Sequence, residues 1–293
     1  MVKPASVALV TCAEFPDLPP DDLLLVSALA RRGVKAVPAR WDDPRQRWAG
    51  YPAVVLRSCW DYHRRAAEFD RWLELLERER ARVFNPLPTL RWNTRKSYLR
   101  DLEAAGIEVV PTVWAPMGSG MTLGDIAESM GWSAMVVKPT ISASGFETWR
   151  VEREATAGSE ERFARQLRDR DLMIQPYLPS IATEGELSFV FIAGAFTHAV
   201  RKRPGPGDFR VQEEHGGSAE RATPAQDLVL EAARAIRAAP EAPLYARVDG
   251  ATLGGRLRVT ELELIEPTLY FQFEPAAAGR LAAALGSEIA ERR

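Results

Sequence analysis

Between Tyr245 and Leu269 the chain reads YARVDGATLGGRLRVTELELIEPTL, which sets charge on an otherwise apolar frame. The pattern predicts two strands joined by Gly254-Gly255. Residues of equal parity share a face of a strand. Arg247 and Asp249 then sit together on one strand, and Glu261 and Glu263 together on the next. With the turn centred on the glycine pair, Asp249 lies roughly opposite Glu261 and Arg247 roughly opposite Glu263. The carboxylate face of the second strand is expected to carry Leu257, Val259 and Ile265 as well, and the other face Leu262 and Leu264. Carboxylates crowded on a dry hairpin repel one another, and Arg247 neutralises only one charge. Hard oxygen ligands suit divalent cations, and Mg²⁺ holding a nucleoside triphosphate uses such a set. The same pattern also describes an exposed hairpin laced with salt bridges.

Other residues extend the cation-and-nucleotide reading. Lys138 ends the apolar run VVKP, and a small-residue loop with Ser142, Ser144 and Gly145 follows. Such a loop lets backbone N–H groups approach phosphate closely, though it also describes a plain hairpin loop beside a solvated lysine. Gln175, Tyr177 and Leu178 follow a strand, where main-chain groups of a hinge could read an adenine edge; an ordinary interdomain linker looks the same. Glu186 opens a strand and suits a ribose. Lys202 and Arg210 flank a polar loop closed by His215, and supply cations for a phosphate tail. Lys96, near the start of a helix, is either a phosphate ligand or an exposed helical lysine. At the end of the N-terminal strands, Thr11, Arg57, Ser58, Trp60 and Asp61 form an acceptor-site candidate. There Arg57 would clamp a carboxylate and Asp61 an amino group, unless the two merely pair with each other.

The elements that must position these residues alternate between strand and helix. Strands are expected at 7–12, 35–41 and 53–62, with helices at 21–32 and 65–80, a rhythm that gives a small parallel sheet with ligands beyond its strand ends. Helix 93–105, strand 108–114, helix 122–130, strands 134–139 and 146–151, helix 159–169 and strand 172–177 follow. Then come strands 186–194 and 195–203, a polar loop over 204–218, helix 224–238, the charged hairpin and helix 275–291. The Pro/Gly-rich stretch 203–208 is expected to be mobile. Three α/β segments result: 1–92, 93–183 and 184–293.

Composition bounds the partners. A 293-residue chain that is 46% hydrophobic and 27% charged suits a soluble protein of two or three domains. A net charge of −2 gives no basic field for nucleic acid. Cys12 and Cys59 end apolar runs and lack metal-ligand spacing, which fits buried small hydrophobes. The N-terminus does not read as a signal peptide, and no apolar run spans a bilayer, so the cytoplasm is expected. A homodimer is the default for a soluble oligomer, and no stripe of residues argues for or against it.

Taken in order, Lys96, Lys138 with its Ser/Gly loop, the Gln175–Leu178 hinge, Glu186, Arg210, Arg247-Val-Asp249 and Glu261-Leu-Glu263 resemble the ATP-grasp superfamily over about residues 1–275. The ending is similar to the D-alanine:D-alanine ligase and glutathione synthetase pattern, except that Glu263 stands where those families usually have Asn. VVKPTISASG, GDFRVQEEHGG and ELELIEPTL resemble the glutathione-synthetase-like group that includes the O-ureido-D-serine cyclo-ligases, the ring-closing enzymes of D-cycloserine biosynthesis.

The resemblance implies an ATP-grasp fold of three α/β subdomains with ATP between two sheets. It implies an ATP-dependent carboxylate–amine ligase that works through an acyl phosphate on a small amino-acid derivative. Mg²⁺ would sit on Asp249, Glu261 and Glu263, and Lys96 and Lys138 would hold the phosphates. Arg247 would stabilise the tetrahedral adduct, with Lys138 and Arg210 assisting catalysis. Competing readings are a phosphotransferase that lets a hydroxyl attack and a nucleotide-binding regulatory protein without turnover; the complete set of cations and carboxylates speaks against the second.

Overall fold

The computed structural model describes residues 6–290. Its first unit is a four-stranded sheet of β1 (Ser6–Thr11), β2 (Lys35–Arg40), β3 (Ala53–Ser58) and β4 (Val83–Phe84), in the order β2-β1-β3-β4 and parallel throughout. Parallel strands covered on both faces read as unbroken apolar runs, and β1 and β3 do. Val7, Leu9, Ala53 and Val55 pack toward α1 (Pro20–Ala30). Ala8, Val10, Val54 and Leu56 pack toward α2 (Ala66–Arg78). Cys12 and Cys59 are buried free thiols in this second core.

Two short helices, α3 (Leu87–Asn93) and α4 (Tyr98–Ala104), replace the single helix expected over 93–105. The chain leaves helical geometry between them, where the Lys96 N–H donates to the Thr140 carbonyl just past the strand Ala134–Pro139 (2.7 Å). A second sheet contains β5 (Val113–Ala115), β6 (Ala134–Pro139), β7 (Trp149–Glu152) and β8 (Leu172–Pro176), in the order β5-β8-β6-β7. Helices α5 (Leu123–Met130) and α6 (Thr156–Asp169) cover one of its faces, around Phe163, Leu123 and Met135. The expected strand 108–114 is divided by Pro111, which has no N–H to give a ladder. Val109 bridges to Val259, whereas β5 pairs with β8. The expected strand over 146–151 begins only at Trp149, because 143–148 folds into consecutive turns.

After α7 (Pro179–Thr183) comes a third sheet of five strands. It is built from β9 (Glu186–Ile192), β10 (Ala195–Arg203), β11 (Ser218–Ala222), β12 (Tyr245–Leu253) and β13 (Arg256–Glu263), in the order β11-β10-β9-β12-β13. Helix α8 (Gln226–Arg237) packs on one face. Helix α9 (Pro275–Ala290) returns to the first unit, where Leu281, Ala282 and Leu285 pack in one core with Leu25 and Leu29 of α1 and with Val190 and Tyr245. The last residue of the expected C-terminal helix, Glu291, lies outside the described residues. Sequence patterning does not reveal α7 or β11: the first is a single turn, and the second is a polar strand that starts where the expected loop 204–218 ends. No helix among the described residues is long and apolar enough to cross a membrane.

The β12–β13 hairpin is held from several sides. Gly254 and Gly255 both take positive φ, at 58° and 77°, as a tight two-residue hairpin turn requires. Asn85 donates to the carbonyls of Tyr245 and Leu264, both at 2.8 Å, and accepts from the N–H groups of Leu244 and Tyr245. Asn93 bonds the Leu262 carbonyl and the Leu264 N–H, both at 2.8 Å. The Tyr245 hydroxyl donates to the Leu56 carbonyl at 2.7 Å. Buried backbone groups need such partners, and these partners tie the hairpin to the first unit.

Candidate active site

A cleft of about 490 Å³ lies between the second and third sheets and opens on the first. Its wall on the third sheet is the charged hairpin. Asp249 pairs with Glu261, and Arg247 with Glu263, in the ladder. A plain two-residue turn would have set Asp249 opposite Thr260 and sent Glu261 to the other face. A bulge between Asp249 and Gly250 inserts one residue and restores the phase. Gly250 permits it: a Cβ there would lie 2.7 Å from the Arg258 carbonyl. The bulge also reverses the expectation for Leu257 and Val259. They lie with Leu262 and Leu264 in the core on the opposite face, and Ile265, beyond the strand, packs into the first unit.

Every carboxylate of the ladder has a cation. Arg247 holds Asp249 through two bonds (2.9 and 3.0 Å), also pairs with Glu263, and donates to the Thr268 carbonyl at 3.0 Å. Lys202 bridges Asp249 (2.6 Å) and Glu186 (2.7 Å), and Lys96 pairs with Glu261. Lys96 and Lys202 therefore supply neutralisation that the sequence argument assigned to metal. Burial works against ionising Asp249, yet Arg247 and Lys202 hold it well below the usual carboxylate range. Burial likewise opposes the charge on Lys202, but Asp249 and Glu186 raise it above the usual lysine range. Burial raises Glu263 despite Arg247, and lowers Lys96.

On the facing wall Lys138 projects from β6 and, among the described residues, has neither an ion-pair nor a hydrogen-bond partner. Burial and the charge of Lys96 push it down to about 8. Ser142, Ser144 and Gly145 line the cleft in a turn where Ser144 and Gly145 both have positive φ (52° and 66°). This turn touches the loop of the third unit: His215 Nε2 lies 3.1 Å from the Ser144 carbonyl, and a Cβ on Gly145 would meet the Arg210 side chain at 3.1 Å. Arg210 itself is clamped by Asp208 (2.8 Å). Gly205 and Gly217 serve close packing at the two ends of this loop, whereas Gly207 has no neighbour a Cβ would meet. A Cβ on Gly205 would lie 2.5 Å from the Gly216 carbonyl, and one on Gly217 would lie 2.2 Å from that of Val211.

The nucleotide candidates Gln175, Tyr177, Leu178 and Glu186 also line the cleft. Gln175 donates to Thr112 at 2.9 Å, and the Tyr177 N–H is already given to the Ala134 carbonyl. Glu186 accepts from Thr260 at 2.6 Å and from Lys202.

Of the five acceptor-site candidates only Trp60 reaches the cleft. Arg57 is buried and bonds Asp22 (2.9 Å) and the Pro267 carbonyl (2.8 Å), so it is a brace rather than a clamp. Asp61 takes the Trp41 indole N–H (2.8 Å) and Arg65 (2.5 Å), not Arg57. Thr11 and Ser58 bond each other at 3.0 Å beneath the strand ends. Two buried cleft carboxylates have no counterpart among the sequence candidates: Asp21, at the start of α1, and Glu266, just past the ladder. Burial raises both, Asp21 to about 6 and Glu266 to about 8, with help from Asp22 and Glu263 respectively.

Known proteins share this architecture. Residues 7–85 match the family described as D-cycloserine synthetase DcsG, N-terminal domain. The cycloserine biosynthesis protein DcsG of Streptomyces lavendulae is 32% identical over 287 residues, which cover 93% of this chain and 94% of that protein. The crystal structure of D-cycloserine synthetase DcsG superposes with a TM-score of 0.88 at 29% identity, covering 97% of this chain and all (100%) of that one. The D-alanine–D-alanine ligase of Bacillus anthracis complexed with ATP shares the fold at a TM-score of 0.69 and 14% identity, covering 98% of each chain. The chain belongs to the ATP-grasp ligases, ATP-dependent enzymes that join a carboxylate to an amine, and within them to the family of DcsG.

Proposed function

We propose that this ligase closes a ring within one small amino-acid derivative, as the names of its cycloserine relatives suggest. ATP lies between the sheets of segments 93–183 and 184–293 in this reading, and the acceptor lies against segment 1–92. The observation that carries it is the unpartnered Lys138 cation on the same cleft as the Glu261–Glu263 ladder. A half-buried, unpaired ammonium is unfavourable until an anion arrives.

Among the described residues no three Asp, Glu, His or Cys side chains already converge as a metal cage. The donor chemistry nevertheless fits Mg²⁺, which prefers carboxylate oxygens and keeps several waters. Glu261 and Glu263 leave 25% and 26% of their side chains open to the cleft, so they would be the ligands. Asp249 is 3% open and fully bonded, and stands behind them. A cation there would neutralise charge on the phosphates during transfer.

The residues of the chain do the rest. Lys138 and Lys96 hold phosphate oxygens. An oxygen of the substrate carboxylate attacks the γ-phosphorus, and ADP leaves. A nitrogen of the same molecule then attacks the acyl carbon, loses a proton and expels phosphate. Arg247 steadies the adduct's oxyanion from the ladder. The touching loops around Gly145 and His215 exclude water from the acyl phosphate.

ADP release stimulated by O-ureido-D-serine alone, with a cyclic product, is the expected result. Release that requires a second amine would make the enzyme an intermolecular ligase and defeat the ring-closing reading. Lys138→Ala is expected to raise the Kd for Mg-ATP about 10- to 100-fold, the scale of one lost charged hydrogen bond. Lys138 carries its charge below about pH 8 and loses it above, so wild-type affinity should fall as pH passes that value. Glu266, also near 8, gains charge over the same range, so the variant should keep a shallower fall. Calorimetric titrations at pH 7 and 9 test both points. Equal slopes in the two proteins would remove Lys138 from the phosphate site.

A further inference from the structure

Four carboxylates on the third-sheet wall of the cleft are matched with cations. Asp249 has Arg247 and Lys202, Glu261 has Lys96, Glu263 has Arg247, and Glu186 has Lys202. Glu266 lines the same cleft, is 8% exposed, and receives no salt bridge or hydrogen bond on its carboxylate from another described residue.

The backbone that carries it is fixed. The Trp60 indole N–H donates to the Glu266 carbonyl (2.9 Å), Arg57 to that of Pro267 (2.8 Å) and Arg247 to that of Thr268 (3.0 Å). Three successive carbonyls thus receive three side-chain donors, two of them from the first unit. The surroundings suit a cation. Trp60 stacks edge-on against Phe15 with centroids 4.9 Å apart, and Tyr62 lines the same cleft. Asp21, adjacent in sequence to the Asp22 that Arg57 holds, has an Oδ2 with no hydrogen-bond partner. A buried carboxylate without a partner is unfavourable until a cation reaches it, and aromatic faces add to the attraction for an ammonium.

We propose that Glu266 is the specificity-determining residue of the acceptor end, holding the protonated amino group of an amino-acid substrate in the cleft that Asp21 also lines. The inference rests on the ligase reading above, in which the substrate's carboxylate is turned toward the ladder. The distance between ladder and Glu266 then selects a zwitterion over a simple acid. Arg57, Trp60 and Arg247 position the carboxylate by holding its backbone.

Binding of D-serine and D-glycerate to the enzyme saturated with Mg-AMPPNP tests this. The two probes share a carboxylate and differ in ammonium against hydroxyl. Wild type should prefer D-serine by about 10- to 100-fold. At pH 7, below the range where Glu266 gains its charge, Glu266→Gln should erase that preference with AMPPNP affinity unchanged, and Glu266→Asp should restore part of it. A preference that survives in Glu266→Gln, while wild type binds D-serine, overturns the inference and leaves the ligase reading standing. Failure of wild type to distinguish the probes, or to bind either, also overturns it. Loss of the preference in Glu266→Gln, in an enzyme that never turns over a cyclisable substrate, upholds the inference and rejects the ring-closing reading.

Discussion

Glu261→Gln is expected to lower kcat about 10²- to 10³-fold, the usual consequence of losing one preorganised electrostatic group at a reacting centre. The fold should survive the change. Glu261 has a single cationic partner, Lys96, and a quarter of its side chain (25%) is open to the cleft. Gln keeps its shape and still accepts a hydrogen bond. Lys96 keeps a hydrogen bond but loses its ion pair at a buried position, so a loss of about 1–3 kcal/mol is expected, several degrees in a chain of this size. Loss of one metal ligand should also raise the Mg²⁺ concentration needed for half-maximal rate. Kinetics across a Mg²⁺ titration, set beside a thermal melt, check both halves. Wild-type turnover in the variant would show that the ladder holds no catalytic metal. A collapsed melt would instead make the Lys96–Glu261 pair a structural strut.

Much of this site was legible because it is local. The residue types of the hairpin, its glycine turn and the pairing of Asp249 with Glu261 and Arg247 with Glu263 follow from some twenty consecutive positions. Even there, a parity count from the turn puts Leu257 and Val259 on the wrong face, because it omits the bulge. The signal was present: a glycine inside a strand, here Gly250, often marks a bulge or a close backbone approach. What stayed hidden depends on contacts far apart in the chain. Arg57 reads as a clamp for substrate because its partners, Asp22 and Pro267, lie 35 and 210 positions away. Asn85 and Asn93 carry no pattern at all, yet they bond the hairpin backbone from 160 or more positions away. In the stretch 203–208 Gly205 sits in close packing while Gly207 has open space around it, because glycine serves both purposes and only the neighbouring backbone decides. Glu266 escaped notice because it lies past the strand, where the alternation that marks Glu261 and Glu263 has ended.

Arg247→Ala should first be a folding defect and only then a catalytic one. The guanidinium is buried, with Asp249 on two of its nitrogens, Glu263 on one of these and the Thr268 carbonyl on the third. Removing it leaves Glu263 without a cation and Asp249 with Lys202 alone. Breaking a buried ion pair from one side costs about 3–5 kcal/mol, because the remaining charge stays desolvated. Urea denaturation should show a loss of that size. Replacing Glu263 with Gln in the same chain should recover part of it, since one stranded charge is then gone. Added Mg²⁺ separates the two roles of the ladder. If Glu261 and Glu263 take the cation, a ligand that binds only the native state stabilises it, and the variant, with no arginine competing for Glu263, should gain more than wild type. A variant as stable as its parent would mean that Arg247 is held by the fold rather than holding it. Equal gains from Mg²⁺ would mean that the metal sits away from Glu263.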